Sequence, residues 1–159
     1  MKQTEFLALI DQHQGILHKV CRLYRDTRED QEDLFQEIIY QLWRSLPSFV
    51  GTAKFTTWMY RIALNTAMAT YRKKTPRLVF TDSFPERDNE DWNAEQQQRE
   101  ERMFAALKQL NDPEKALIAL YLDDLSYREI AELTGLTESH VGVKLNRIKT
   151  KIKKLLNIN

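Results

Sequence analysis

Apolar residues recur at three- and four-residue steps along most of this 159-residue chain, a spacing typical of one face of an α-helix. The first stripe covers residues 6–24, and the second covers residues 34–46, where Pro47 ends the helix. A third stripe begins at Phe55 and ends before Pro76. The apolar members of the three stripes are Phe6, Leu9, Ile10, Leu17, Val20 and Tyr24; Leu34, Phe35, Ile38, Ile39, Leu42, Trp43 and Leu46; and Phe55, Trp58, Met59, Ile62 and Ala63.

Helical periodicity returns at Ala94 and continues to Leu110. Asp112 and Pro113 then provide an N-cap and a first helical residue, so a new helix is expected to begin there and to end near Leu125.

The segment between the two helical regions is acidic, contains a second proline and has no periodicity, so it is expected to be a linker. Strand-like alternation is absent from the sequence. The pattern therefore predicts an all-α fold with two small helical domains, at residues 1–75 and 94–159, joined by an acidic linker at 76–93.

Composition excludes several classes of protein. The longest apolar run, seven residues from Ala116 to Leu122, is far shorter than the roughly 20 residues of a membrane-spanning helix. Asp11 interrupts the N-terminal apolar residues before they are long enough for the apolar core of a secretory signal. The single cysteine, Cys21, cannot form an intrachain disulfide. The chain is therefore expected to be soluble and cytoplasmic.

Catalytic chemistry is not indicated. The sequence contains no phosphate-cradling glycine loop and no evident pair of nucleophile and base, and its three histidines, His13, His18 and His140, have no companion metal ligands. We therefore expect no enzyme activity, no cofactor and no metal.

Residues 126–148 have the spacing of a helix-turn-helix. Ser126 and Glu129 form an S-x-x-E capping box that starts a short helix. Gly135 supplies the left-handed backbone that a tight turn needs, and Thr137 can cap the second helix. This combination favours DNA binding over a plain helical hairpin.

The second helix of this motif is basic, since residues 140–159 contain six basic residues and no acidic one. On charge alone, such a helix either meets a polyanion or is a solvated helix whose lysines balance the helix dipole. Its predicted buried stripe is Val141, Leu145, Ile148, Ile152 and Leu155. The opposite face and its flanks carry small, amide and basic side chains suited to base edges and phosphates. The predicted DNA-binding residues of this helix are Ser139, His140, Gly142, Val143, Lys144, Asn146, Arg147 and Lys151.

The N-terminal region carries two further patterns. One helix presents an acidic face suited to a basic partner helix, although on the pattern alone a solvated face explains it better. Its polar face consists of Asp30, Asp33, Glu37 and Gln41. Farther along, aromatic and basic residues alternate, and such a mixture can stack unpaired bases and follow a nucleic-acid backbone. Trp58 within that mixture fits a core position better than a stacking platform.

Three blocks of the chain resemble bacterial sigma factors of the small extracytoplasmic-function (ECF) class. They are DLFQEIIYQLWRSL, FTTWMYRIALNTAMATYRKK, and the segment from LNDPEKALIALYLDD through the helix-turn-helix to KIKKL. The resemblance covers residues 5–75 and 94–156 and implies a promoter-specificity subunit of RNA polymerase. It implies core polymerase and promoter DNA, double- and single-stranded, as partners, and an anti-sigma factor is a common further partner in this class.

The resemblance also assigns roles to positions in this chain. The polymerase-binding residues it implies are Asp33, Leu34, Gln36 and Glu37. The loop at residues 48–54 matches the loop that captures a flipped base of the minus-ten element. The downstream DNA-binding residues it implies are Phe49, Gly51, Lys54, Asn65, Arg72, Lys73 and Lys74. The second helix of the helix-turn-helix matches the reader of the minus-thirty-five element.

Two other functions remain open at this point. A stand-alone helix-turn-helix regulator would need two-fold symmetry and would leave the acidic N-terminal helix unexplained. A small DNA-processing enzyme would need a Ser or Tyr nucleophile with clustered arginines, and the N-terminal half offers no such group.

Overall fold

The computed structural model describes residues 3–49, 51, 54–69 and 94–157. The chain divides into two compact units, Met1–Pro85 and Glu86–Asn159. All regular structure among the described residues is helical, which confirms the predicted all-α fold class. The predicted linker at 76–93 lies outside the described residues.

The first unit contains four α-helices and one 3₁₀ turn among its described residues. They are α1 (Gln3–Gln12), α2 (Gln14–Tyr24), α3 (Arg28–Ser45), the 3₁₀ turn (Leu46–Ser48) and α4 (Phe55–Ala69). Helices α2, α3 and α4 pack against one another. Their shared core contains Leu17, Ile38, Leu42 and Met59, all fully buried. Cys21 is also fully buried, and burial strongly raises the pKa of its thiol, so it serves as a small apolar core residue.

The first apolar stripe forms two helices, so the prediction of a single helical face over residues 6–24 is wrong in one respect. The backbone N–H of His13 donates to the carbonyls of both Leu9 and Ile10, and the N–H of Ile16 donates to the carbonyl of His13. The two i→i−3 bonds, from His13 to Ile10 and from Ile16 to His13, tighten the turn between α1 and α2. Apolar periodicity cannot reveal such a break, because the side chains on both sides still reach one core.

Within residues 94–157, the described part of the second unit, there are four α-helices: α5 (Ala94–Leu107), α6 (Asp112–Leu122), α7 (Tyr127–Thr134) and α8 (Glu138–Leu155). Helix α8 packs against each of the other three, and α6 packs against α7. The centre of this unit is formed by Ile118, Leu120, Ile130, Leu145 and Ile148, each almost completely buried. The side of α8 that faces away from this centre is exposed.

Helix α6 begins and ends differently from the sequence prediction. Its N-cap is Asn111, not Asp112, and Asn111 forms a capping box with Glu114. Asn111 is preferred because only its position places a glutamate three residues later to complete the box. The helix ends at Leu122, before the predicted Leu125, and the backbone of Asp124 then turns into the left-handed region at φ 65°.

Candidate nucleic-acid interface

The turn between α7 and α8 has the geometry that the sequence predicts. Ser126 and Glu129 form a reciprocal capping box, with both hydrogen bonds at 3.1 Å. Gly135 follows α7 in the left-handed conformation, at φ 80°, and its N–H donates to the Ala131 carbonyl at 2.9 Å. The hydroxyl of Thr137 accepts from the His140 N–H at 3.1 Å and caps α8. Both helix ends are therefore fixed by local hydrogen bonds.

The buried side of α8 matches its predicted stripe at four positions of five. Val141, Leu145, Ile148 and Ile152 are buried. Leu155 is 38% exposed, so its predicted burial is wrong. It is the last residue of the helix.

The exposed side of α8 presents most of the predicted DNA-reading residues together. Exposed residues on this side are Ser139, His140, Val143, Asn146, Arg147 and Thr150. Val143 is 48% exposed although apolar, and the Thr150 hydroxyl donates to the Asn146 backbone carbonyl at 3.0 Å. Hydroxyl, amide, guanidinium and small apolar side chains of this kind suit the edges of bases in a major groove.

Gly142 is not on this exposed side, and its predicted place there is wrong. A Cβ atom at position 142 would lie 3.3 Å from Cε2 of Tyr127, so the Tyr127 ring covers this flank of α8. Two turns farther along the same flank, the Lys149 ammonium lies 4.1 Å from the centre of the Tyr121 ring. A hydrogen bond to Tyr121 raises the pKa of Lys149.

The other flank of α8 is held by an acidic residue. Lys151 Nζ lies 2.7 Å from Oε2 of Glu114, the residue that also completes the capping box of α6. Burial raises the pKa of Glu114, but the hydrogen bonds from Lys151 and Asn111 and the charge of Lys144 outweigh it and hold the pKa below its ordinary value. The sequence prediction assigned Lys144 and Lys151 to DNA and missed Glu114.

The predicted polymerase-binding residues lie on α3 in different environments. Asp33 is exposed, and half-buried Glu37 accepts a 2.9 Å hydrogen bond from Nε2 of Gln41. Gln36 has a buried Oε1 with no hydrogen-bond partner among the described residues. Leu34 is only 3% exposed, so its side chain belongs to the core of the first unit.

Aromatic rings meet at the described ends of the 48–54 loop. The centre of the Phe49 ring lies 5.0 Å from that of Trp58 and 5.9 Å from that of Phe55, and the Phe55 and Trp58 centres are 5.5 Å apart. His13 also approaches Phe55, at 5.9 Å. The two ring contacts and half-burial of Trp58 favour its packing role over a stacking platform.

The other downstream positions are partly described. Gly51 is exposed at φ 76°, Lys54 is exposed before α4, and Asn65 is exposed on α4. Arg72, Lys73 and Lys74 lie outside the described residues, as do residues 50, 52 and 53 of the loop. None of the described helices is long and apolar enough to cross a membrane.

Two family models match the chain. Sigma-70 region 2 matches residues 9–77, and Sigma-70, region 4 matches residues 100–152. The ECF RNA polymerase sigma-E factor of Haemophilus influenzae is 30% identical, over 95% of this chain and 89% of its own. The ECF sigma factor SigW of Bacillus subtilis is 26% identical, over 97% of this chain and 90% of its own.

Two solved structures share the fold. CnrH, solved in complex with the cytosolic domain of CnrY, gives a TM-score of 0.71 at 22% identity, covering 98% of this chain and 90% of CnrH. The sigma factor RpoE of Bartonella quintana, solved with the anti-sigma factor NepR, gives a TM-score of 0.71 at 17% identity, covering 98% of each chain. The region 2 and region 4 matches and the sigma-E relative together show that this chain belongs to the ECF family of RNA polymerase sigma factors, the promoter-specificity subunits of the polymerase.

Proposed function

We propose that promoter recognition is divided between the two units of this chain, with α8 reading the upstream, minus-thirty-five element as duplex DNA. This assignment rests on the exposed side of α8. That helix is the second helix of a helix-turn-helix in which both helices are capped. Asn146 and Arg147 supply the amide and guanidinium groups that pair with base edges. Ser139 and His140 lie at the start of α8, where side chains enter a groove or meet a phosphate.

The first unit then binds core polymerase through the polar side of α3. Exposed Asp33 and half-buried Glu37 are one turn apart and provide negative charge for a basic partner helix. The buried Oε1 of Gln36 is an acceptor that a partner's donor could satisfy. Leu34 contributes to this surface only by fixing α3 to its core.

The downstream, minus-ten element is bound by the loop at 48–54 and the residues that follow it. The ring contacts of Phe49 anchor one end of the loop, exposed Gly51 adopts a left-handed backbone, and exposed Lys54 supplies a cation. Asn65 continues this surface on α4. In this assignment, residues 1–75 bind polymerase and the downstream element, 76–93 connect the units, and 94–159 bind the upstream element.

The chain acts without catalysis, and promoter melting draws on binding energy rather than on nucleotide hydrolysis. We infer from its polymerase and DNA partners that it acts in the cytoplasm. An anti-sigma factor is a further partner of this class of protein, and the structures of CnrH with CnrY and of RpoE with NepR support such regulation here.

Binding to core polymerase tests the role of α3. We expect the wild-type chain to bind tightly and the double variant Asp33→Lys, Glu37→Lys to lose most of that binding while its circular dichroism stays helical. A matched double reversal on α1, Glu5→Lys with Asp11→Lys, changes the net charge equally and should bind like wild type. Equal loss in both variants would mean that net charge, not the α3 surface, controls binding.

DNA binding tests the other two assignments separately. Arg147→Ala should weaken binding to the upstream duplex and leave polymerase binding unchanged. Substitution of Phe49 or Gly51 should change the preference of the holoenzyme at one downstream base, and an unchanged preference across all four bases would overturn the loop assignment.

A further inference from the structure

A single carboxylate, that of Glu114, joins the start of α6 to the flank of α8. Its Oε1 accepts the backbone N–H of Asn111 at 3.1 Å, while its own backbone N–H donates to Oδ1 of Asn111 at 2.9 Å. Its Oε2 accepts from Nζ of Lys151 at 2.7 Å. The glutamate side chain is only 18% exposed, whereas that of Lys151 is 56% exposed. A fixed, half-buried acceptor therefore holds an otherwise accessible ammonium.

Lys144 belongs to the same flank, because it lies seven residues, or two turns, before Lys151. Its charge is close enough to contribute to the lowered pKa of Glu114. The carboxylate therefore acts on both lysines that the sequence assigned to phosphate contacts on this side of the helix.

The opposite flank of α8 is held by aromatic rings. Tyr127 covers Gly142, and the Tyr121 ring lies under Lys149. One flank of α8 therefore lies against rings of α6 and α7, and the other is bonded to a carboxylate of α6.

We propose that Glu114 is a positioning residue for upstream DNA recognition, which holds Lys151 in an ion pair within the unit and keeps it out of the set of phosphate contacts. This inference rests on the proposed role of α8 and changes the role predicted for Lys151. A phosphate would have to displace a carboxylate already at 2.7 Å, so the exchange brings little gain in electrostatic energy. The affinity of α8 for DNA of any sequence is thereby lowered. Discrimination between DNA sequences then depends more on the residues that face the bases.

Salt dependence measures this effect, because each phosphate contact adds about 0.9 to the slope of log K against log salt concentration. The full-length chain is titrated with a short duplex selected by the wild-type protein and with a scrambled duplex. Glu114→Gln keeps an oxygen acceptor for the capping box but loses the charge. We expect this variant to steepen the slope by about 0.9 and to bind the scrambled duplex more tightly, so that the ratio between the two duplexes falls.

The double variant Glu114→Gln, Lys151→Ala separates positioning from a merely structural role. The slope should return to the wild-type value, because the released ammonium is gone. The proposal is overturned if Glu114→Gln leaves the slope unchanged. It is also overturned if Lys151→Ala reduces the slope equally in the wild type and in the Glu114→Gln background. Circular dichroism of each variant checks that it remains folded.

Arg147→Ala, measured on the same duplexes, distinguishes this proposal from the one it rests on. If Arg147→Ala binds like wild type, α8 does not read the duplex and both proposals fail. If it loses binding while Glu114→Gln behaves like wild type, only the role of Glu114 is overturned.

Discussion

The left-handed backbone at Gly135 gives a prediction whose magnitude follows directly from the structure. Gly135→Ala would place a Cβ atom on a residue at φ 80°, which costs an L-residue about 1–2 kcal/mol. Apart from residues 134–136, no described atom lies within 4 Å of that Cβ, so crowding adds nothing to the cost. We therefore expect the second unit to lose about 1–2 kcal/mol of stability from backbone strain alone.

Hydrogen exchange of the α7 and α8 amides is the appropriate assay. The chain has two compact units, so one melting temperature would not report a single free energy. A loss of 1–2 kcal/mol should speed exchange of protected amides in these helices by roughly 5- to 30-fold. The amides of α2 and α3, in the other unit, serve as an internal control and should be unaffected.

Gly135→Asn is the matched variant, because asparagine enters the left-handed region more readily than alanine does. It should cost clearly less than Gly135→Ala, although its side chain is larger. Equal losses for both substitutions, or wild-type exchange in the alanine variant, would refute the explanation based on backbone strain.

Three further predictions concern the packing around the helix-turn-helix, and exchange of the α7 and α8 amides measures the first and the last. Gly142→Ala should stabilise α8 by about 1 kcal/mol in a Tyr127→Ala background but by less in the wild type, where the new methyl group would lie 3.3 Å from the Tyr127 ring; additive effects would contradict this. The pKa of Glu114 is lower in the folded protein than in the unfolded chain. Its ionised form therefore stabilises the fold fully above the ordinary glutamate pKa, and this stabilisation is lost as the pH falls through the pKa of the folded state. The stability difference between wild type and Glu114→Gln, measured by denaturant unfolding followed through NMR signals of the second unit, should therefore narrow in acid, and a difference independent of pH would contradict this. Ile130→Ala, at a fully buried position, should cost about 2–5 kcal/mol, and a loss below about 1 kcal/mol would show that the site collapses around the cavity.

Most of the fold could be predicted because its signals are local. The capping box of Ser126 with Glu129 and the turn at Gly135 are each encoded within a few neighbouring residues. The wrong N-cap of α6 shows the limit of such signals, because Asn111 and Asp112 are adjacent residues of good capping type. The glutamate three residues after Asn111 was the signal that distinguishes them, and the prediction did not use it.

The errors in the site have a different origin, since they depend on residues far apart in sequence. A helical projection places Gly142 on the open side of α8 until Tyr127, from another helix, is known to cover it. Likewise, Lys151 looks like a solvated cation until Glu114, 37 positions away, is seen to bind it. Periodicity within one helix carries no information about either contact.

These flank contacts change what the basic charge of α8 can contribute. Lys151 is paired with the Glu114 carboxylate, so the helix offers duplex DNA a smaller net charge than its composition indicates, whereas Lys149 keeps its charge above the Tyr121 ring. Weak binding of DNA by α8 alone is then expected, because affinity for duplex DNA depends mainly on neutralised phosphates. If the first unit docks on polymerase, upstream binding becomes an intramolecular step at high effective concentration. Upstream affinity would then depend on the polymerase, which favours a polymerase subunit over a stand-alone regulator on physical grounds.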